Sequence, residues 1–159
     1  MLQLFTVSLF GHRELDNPVE IERKLDMVIR KLIREKDYVE FLLGKSGAFD
    51  LIAASVIHRA QRELGYKNSS LILVLPYETA DYRDNAEYLK EYYDDIYMYE
   101  ESSKVHFKAA IQVRNRAMVD KSQLVICCVQ HTAGGAYQTI RYAQSKGKEI
   151  INLAEYDKT

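Results

Sequence analysis

The sequence predicts an α/β protein, a Rossmann-like three-layer sandwich with a mostly parallel central sheet. Strand-like and helix-like segments alternate along the whole chain, which is the pattern of successive βαβ units. The apolar run 71–75 has no polar interruption, as expected of a parallel strand that is buried on both faces. No repeat, linker or change of composition divides the 159 residues. We therefore expect a single domain spanning 1–159.

In the first half of the chain, apolar spacing and turn residues define five segments. The predicted strands are 2–10, 39–43 and 71–75, and the predicted helices are 18–36 and 50–64. The first helix follows Asn17, a candidate N-cap, and begins with Pro18, which suits the first helical position. In the second helix, Leu51, Ala54 and Ile57 are spaced to share one apolar face.

The second half begins with an acidic, tyrosine-rich block at 78–101. A helix at 85–93 and a short strand at 96–99 are predicted within it. The block is either a solvated helix whose rings cover the edge of the core, or a surface for a partner or a second copy, because tyrosine is common at interfaces. A helix around Arg114, a strand at 124–129, a helix ending at 146 and a strand at 150–153 complete the chain.

Composition and charge limit the functional classes. The net charge of −1 supplies no overall basic field, so we expect no nucleic-acid partner. Cys127 and Cys128 are adjacent in an apolar strand and would point to opposite faces, which predicts reduced core residues of a cytoplasmic protein. We find no signal peptide and no apolar run of membrane-spanning length, so we expect no membrane partner. The four histidines lack metal-ligand spacing, and we expect no metal and no cofactor.

The helix around Arg114 is the most informative segment. Phe107, Ala110, Ile111, Arg114 and Met118 are spaced as one helical face, which places a guanidinium within an apolar stripe. A buried cation is costly unless an anionic group meets it. The sequence therefore predicts either an anionic ligand here or a structural ion pair with an acid elsewhere in the chain. The candidate acids are Asp50, Glu78 and Asp120.

Polar loops follow each predicted strand at its carboxyl end, where ligands bind in open parallel sheets. These loops are Gly11-His12-Arg13, Gly44 to Asp50, Pro76-Tyr77-Glu78 and Gln130 to Ala136. The second loop lacks the spacing of a Walker A motif, yet its two glycines and the following helix can form an anion-binding turn. The last loop places Gly134-Gly135 before a helix, which can hold a phosphate at its N-terminus. Their convergence on one sheet edge predicts a pocket for a phosphorylated small molecule.

Two side chains have alternative interpretations. Asp50 is either a helix cap or an acceptor for ribose hydroxyls. His131 is either an ordinary loop residue or a general acid or base. We find no Ser-His-Asp set that would indicate nucleophilic catalysis.

The order of these segments resembles the SLOG superfamily. The resemblance rests on GHR after the first strand, on G-x-x-GAFD-L-x-AA after the second, and on RNRAMVDKSQLVIC followed by a Gly-Gly turn and IRYAQSKGKEIINL. It covers nearly the whole chain and is nearest to the YpsA-like branch, with LOG phosphoribohydrolases and the DNA-processing protein DprA more distant. It implies a Rossmann-like fold, a nucleotide or nucleotide-derived ligand, and a bacterial, cytoplasmic protein for which a homodimer is an open alternative.

The chain departs from LOG enzymes at their P-G-G-x-G-T-x-x-E motif. The arginine and methionine of the LOG pattern correspond to Arg114 and Met118, but the motif's acid/base glutamate corresponds to Arg141. Cleavage of an N-glycosidic bond normally uses a carboxylate to stabilise its positively charged transition state. We therefore expect a binding protein acting as a sensor or regulatory module. A LOG-like hydrolase and a non-catalytic dimeric scaffold remain the alternatives.

The predicted site combines the loops and the Arg114 helix. Its candidate ligand-binding residues are Gly11, His12, Arg13, Gly44, Gly47, Phe49, Asp50, Pro76, Arg114, Asn115, Met118, Gly134 and Gly135. Asp50, Glu78 and His131 are the candidates for a catalytic role if the protein is an enzyme.

Overall fold

The computed structural model describes residues 2–155, so the ends of the predicted domain lie outside the described residues. Strands and helices alternate as the sequence predicts. The strands are β1 (Leu4–Gly11), β2 (Tyr38–Leu43), β3 (Ser69–Leu75), β4 (Asp95–Met98), β5 (Leu124–Cys128) and β6 (Glu149–Asn152). The helices are α1 (Pro18–Glu35), α2 (Ala48–Leu64), α3 (Ala80–Tyr92), α4 (Glu100–Ser103), α5 (Phe107–Lys121) and α6 (Gly135–Ser145).

All strand pairs in the six-stranded sheet are parallel, and the strand order is β4-β3-β2-β1-β5-β6. Helices α1 and α2 pack on one face together with α3, whereas α5 and α6 pack on the other. This confirms the predicted α/β class and its three-layer Rossmann-like arrangement. The sheet is entirely parallel because each connection between neighbouring strands passes through helical structure.

Two hydrophobic clusters fill the space between the layers. The larger lies under α1, α2 and α3 and includes Leu9, Phe41 and Leu73, all fully buried. The smaller lies under α5 and α6. Cys127 belongs to the smaller cluster and Cys128 to the larger, so the two thiols do point to opposite faces and both are free. Burial raises the pKa of Cys128 to about 11, which keeps this thiol protonated at neutral pH.

The ends of the helices differ in detail from the prediction. Asn17 stands at the N-cap of α1 with φ 54°, but its side chain makes no capping hydrogen bond. Helix α2 begins at Ala48, two residues before the predicted start, and ends at Leu64 as expected, with Gly65 as its C-cap. Leu51 was placed on the apolar face but is 57% exposed. Ala54 and Ile57 are buried, so the core-facing stripe of α2 excludes Leu51.

The tyrosine-rich block is mostly helical. Helix α3 is kinked at Asn85, and the short α4 that follows β4 was not predicted. Tyr93 is buried beneath the helix, and Tyr92 stacks on His58 of α2 with ring centroids 4.7 Å apart. Tyr88 is 64% exposed. Part of the block therefore covers the edge of the core, and the role of its exposed rings in a dimer stays a prediction.

The chain changes direction between β1 and β5. Strands β2, β3 and β4 are added on one side of β1, and β5 and β6 on the other. The loops after β1 and β5 therefore diverge to opposite faces of the sheet and leave a crevice, which is where ligands bind in open parallel sheets.

We expect Phe41→Ala to destabilise the protein by about 3–5 kcal/mol, because its ring is fully buried in the centre of the sheet and its removal leaves a cavity. Phe107→Ala is the matched control, since this ring is 60% exposed at the start of α5. Its expected cost is within about 0.5 kcal/mol. Urea unfolding measures the free energy of unfolding of both variants. Similar decreases for Phe41→Ala and Phe107→Ala would contradict this description of the core.

Candidate functional site

A pocket of about 640 Å³ lies in the crevice at the carboxyl ends of β1 and β5. Its wall combines the loop after β1, the loop after β2, the inward face of α5 and the start of α6. Nine of the predicted ligand-binding residues line it: Gly11, His12, Arg13, Gly44, Asp50, Arg114, Asn115, Gly134 and Gly135. His131 lines it as well. The pocket unites loops that are far apart in the sequence; whether they bind a ligand stays a prediction.

Other predicted residues do not line the pocket, and their contacts explain their positions. Phe49 is fully buried and packs against Gly11, while Gly47 lies against the backbone of Arg13. Met118 is 2% exposed within the cluster under α5 and α6. Pro76 is also buried. Phe49 and Gly47 therefore pack against the loop after β1, whereas Met118 and Pro76 are buried residues away from the pocket wall.

Glu78 is exposed and does not line the pocket. Arg141, which corresponds to the LOG glutamate, is also off the pocket wall. Its Nη1 donates a hydrogen bond of 3.0 Å to the Tyr137 hydroxyl on the exposed side of α6. Of the three predicted catalytic candidates, only Asp50 and His131 therefore border the pocket.

Arg114 is buried, with 4% of its surface exposed. Its Nη1 donates to the backbone carbonyl of Val74 and its Nε donates to Asn115 Oδ1, each at 2.8 Å. The Nη2 atom makes no hydrogen bond within residues 2–155. Every fully buried side-chain nitrogen or oxygen in that part of the chain does have a partner. Nη2 therefore reaches the pocket surface, where it is an available donor.

No ion pair explains the buried guanidinium. Within the described residues, no carboxylate oxygen lies within 4.0 Å of a nitrogen of Arg114. Asp120 instead accepts a hydrogen bond from the Tyr142 hydroxyl. Burial lowers the pKa of Arg114, and the nearby charge of Asp50 opposes this shift. Asp50 thus influences Arg114 across a gap, and the predicted contact pair is absent from residues 2–155.

Asp50 lies in the first turn of α2 and is 7% exposed. Its Oδ2 accepts hydrogen bonds from the backbone N–H of Ser46 at 2.9 Å and from the Ser46 hydroxyl at 3.0 Å. Oδ1 has no partner within residues 2–155, so by the same reasoning it reaches the pocket. Burial raises the pKa of Asp50, and Arg114 partly offsets that rise. Asp50 therefore closes the loop after β2 and also presents an acceptor to the pocket.

The N-termini of α2 and α6 differ in which of their backbone N–H groups already have hydrogen-bond partners. In α2 the backbone N–H of Ala48 donates to Arg13 O at 2.9 Å, and that of Phe49 donates to His12 O at 3.4 Å. The loop after β1 thus occupies the amides that were predicted to bind an anion. In α6 the first backbone bond is from Gln138 N–H to Gly134 O. Within residues 2–155, no side chain caps this helix and its earlier amides have no hydrogen-bond partner. Gly134, with φ 91°, lies on the pocket wall.

Two histidine rings form one side of the pocket. His12 and His131 have ring centroids 3.8 Å apart and an interplanar angle of 31°. His12 is buried, and its Nε2 accepts a hydrogen bond of 3.0 Å from the backbone N–H of Gln130. In the neutral ring the proton is therefore on Nδ1. Burial, followed by the neighbouring His131, lowers the pKa of His12.

Several pocket residues were missed by the sequence interpretation. They are Lys108 and Gln112 on α5, Glu14 and Ser46 in the loops, and Gln138 on α6. A signal was present for the first two, because residues 108, 111, 112 and 115 recur at helical spacing along one side of α5. Gln112 donates from Nε2 to Gly135 O at 3.1 Å, so it also ties α5 to the start of α6.

Neither a protein-family model nor a curated protein sequence matches the chain. Among solved structures, the fold is similar to that of DNA processing protein A from Helicobacter pylori, with TM-score 0.64 and 19% identity over 92% of this chain and 63% of that one. It is also similar to DNA processing protein A (DprA) from Streptococcus pneumoniae, with TM-score 0.65 and 18% identity over 92% of this chain and 49% of that one. The chain spans less than two thirds of either protein. The likeness to DprA is confirmed at the level of the fold.

The comparison corrects one expectation. The Helicobacter pylori protein is described as binding single-stranded DNA. The expectation of no nucleic-acid partner, drawn from the net charge of −1, is therefore wrong. Net charge averages over the whole surface, whereas a binding pocket depends on its local charges.

The described residues contain no group of three or more His, Cys, Asp or Glu side chains placed to hold a metal ion. Across 2–155, none of the helices is long and apolar enough to cross a bilayer.

We expect His12→Gln to weaken the pH dependence of stability. Because the pKa of folded His12 is lowered from 6.5, the unfolded chain binds more protons at mildly acidic pH, and stability falls as the pH drops through this range. Glutamine can still accept from Gln130 N–H but does not titrate. Urea unfolding at about pH 7.5 and about pH 5.5 measures the free energy of unfolding, which should fall less between the two pH values for the variant than for the wild type.

Leu51→Ala is the control for this measurement, since it changes an exposed side chain and no titratable group. It should lose as much stability as the wild type between the two pH values. An undiminished loss of stability in His12→Gln would contradict a lowered pKa for His12.

Proposed function

We propose that the pocket binds a nucleotide unit through its phosphate, and that the protein acts by binding. The observation that carries this proposal is the uncapped N-terminus of α6, whose first amides are free at the pocket wall beside a buried guanidinium with an unpaired nitrogen. Free amides at a helix N-terminus bind phosphate through hydrogen bonds and through the helix dipole.

The local charges support an anionic ligand. Three cationic side chains line the pocket, Arg13, Lys108 and Arg114, against two carboxylates, Glu14 and Asp50. The pocket is thus slightly basic although the chain as a whole is slightly acidic. Arg13 and Lys108 are exposed at the rim and can approach a phosphate without displacing existing contacts.

The size of the pocket suits a nucleotide. Its volume of about 640 Å³ falls within the range of pockets that enclose small ligands. A free nucleotide and a nucleotide within single-stranded DNA both present a phosphate, a sugar and a base, although the phosphate is a monoester in the first and a diester in the second. Because the Helicobacter pylori neighbour binds single-stranded DNA, the bound nucleotide unit can also belong to a DNA strand.

The arrangement favours binding over LOG-type cleavage. Arg141 stands where those enzymes have their glutamate, and it is directed to Tyr137 rather than to the pocket. One observation supports the alternative hydrolase: Asp50 combines a raised pKa with an oxygen open to the pocket, as a general acid requires. Release of free base from AMP by the wild type, lost in Asp50→Asn, would support that alternative.

We expect Gly135→Pro to weaken phosphate binding by about 10-fold to about 100-fold, because it removes one free amide from the α6 N-terminus. Proline is tolerated at the first position of a helix, so α6 should persist. Gly135→Ala is the matched control, since it adds a side chain but keeps the N–H. Isothermal titration with AMP measures both.

The same titration with a single-stranded DNA of about ten nucleotides separates the two sources. Tighter binding of DNA than of AMP would identify the strand as the partner, and the reverse would identify a free nucleotide. Equal affinity of the proline and alanine variants for every ligand would contradict a phosphate site at α6. A wild type that binds neither AMP nor DNA would instead favour the scaffold alternative.

Several finer assignments accompany this proposal. We infer a single domain over 1–159, a position in the YpsA-like branch, a cytoplasmic location and the capacity to form a homodimer. They rest on the sequence resemblance and on the continuous sheet, which leaves the described chain undivided. Light scattering of the purified protein tests the dimer directly.

A further inference from the structure

The pair of histidine rings has a role that phosphate binding alone leaves unassigned. His12 is 7% exposed, whereas His131 is exposed. With ring centroids 3.8 Å apart, His12 covers one side of the His131 ring. The other side of His131 is open, and the residue lines the pocket.

The backbone that leads into His131 is anchored by hydrogen bonds. The Gln130 side chain donates to Asp16 O at 2.8 Å and accepts from Asp16 N–H at 2.9 Å, while the backbone N–H of Gln130 donates to His12. Asn152 in turn bonds both the N–H and the carbonyl of Val129. His131 therefore directly follows two anchored residues, which lowers the entropic cost of using its ring to bind a ligand.

Among the described residues of the pocket wall, three side chains carry rings: Phe10, His12 and His131. Phe10 and His12 are buried, so His131 offers the exposed planar surface. It also precedes Gly134, at the start of α6, by three residues. A planar group linked to a phosphate through a sugar can thus lie on His131 while the phosphate meets the α6 amides.

We propose that His131, backed by His12, is the shelf on which the nucleobase of the ligand stacks, so that the pocket selects nucleotides over sugar phosphates. This inference rests on the proposed function of the same pocket. Stacking on a ring accepts any base, because every base has a π face. The shelf therefore serves a free nucleotide and a nucleotide of a single strand alike.

The test compares the affinities of AMP and ribose 5-phosphate, which differ only by the base. The wild type should bind AMP about 5-fold to about 150-fold more tightly. His131→Phe keeps a stacking surface and should keep this ratio. His131→Ala should reduce the affinity for AMP to that for ribose 5-phosphate. The affinity for ribose 5-phosphate itself should stay unchanged. His58→Ala, on α2 and outside the pocket, is the control for loss of a histidine.

A second readout is the proton NMR signal of the His131 ring. Stacking of the adenine base should shift its ring protons upfield through the ring current, and ribose 5-phosphate should not. This signal is assigned by comparison with His131→Phe, and it reports stacking independently of the affinity.

Several outcomes would overturn the shelf while leaving the phosphate site intact. These are equal wild-type affinities for the two ligands, or a preference for AMP that survives in His131→Ala. If His131→Phe weakens ribose 5-phosphate as strongly as His131→Ala does, then His131 contacts phosphate and is not a stacking shelf. Failure of the wild type to bind AMP, ribose 5-phosphate and single-stranded DNA alike would overturn the proposed function, and the shelf with it.

Discussion

The buried guanidinium of Arg114 is the constraint on which the site depends. A cation taken out of water must be compensated, and here two neutral acceptors, Val74 O and Asn115 Oδ1, hold it. Position 44 must also be small, because a Cβ there would lie 2.7 Å from Arg114 Nη1. The guanidinium thus joins the ends of β2 and β3 to α5. Its remaining nitrogen is fixed at the floor of the pocket with little freedom to move, which is the preorganisation that a binding site requires.

The two helix N-termini beside this guanidinium show how tertiary contacts decide chemistry. Both begin after a glycine and without a side-chain cap. The amides of α2 meet the carbonyls of the loop after β1, which fixes that loop and leaves Asp50 facing the pocket. The amides of α6 meet no such loop. The pocket is consequently asymmetric, with a buried guanidinium and a buried carboxylate that make no ion pair on one side and free helix amides on the other. Such asymmetry orients a ligand that has one charged end and one neutral end.

Much of the fold could be predicted from the sequence because it depends on local patterns. Uninterrupted apolar runs located the inner strands, and helical spacing located α1, α2 and α5. The tyrosine-rich block was predicted less well, since α3 is kinked at Asn85 and α4 is a single short turn. The position of α3 depends on which rings pack against α2, as Tyr92 does on His58, whereas α4 packs against α5. A pattern of apolar residues does not contain that information, because exposed and buried tyrosines look alike in sequence.

For the site, the sequence by itself determined which segments meet, since polar loops after parallel strands gather at one edge of the sheet. It also determined that Arg114 lies on a core-facing stripe. Only the tertiary structure decided which groups remain free once those segments meet. It assigned the α2 amides to the loop after β1, placed Gly47 and Phe49 behind the wall, and stacked His131 on His12. The physical reason is that hydrogen-bond satisfaction and burial are properties of distant pairs, whereas spacing along the chain reports the face of one element at a time.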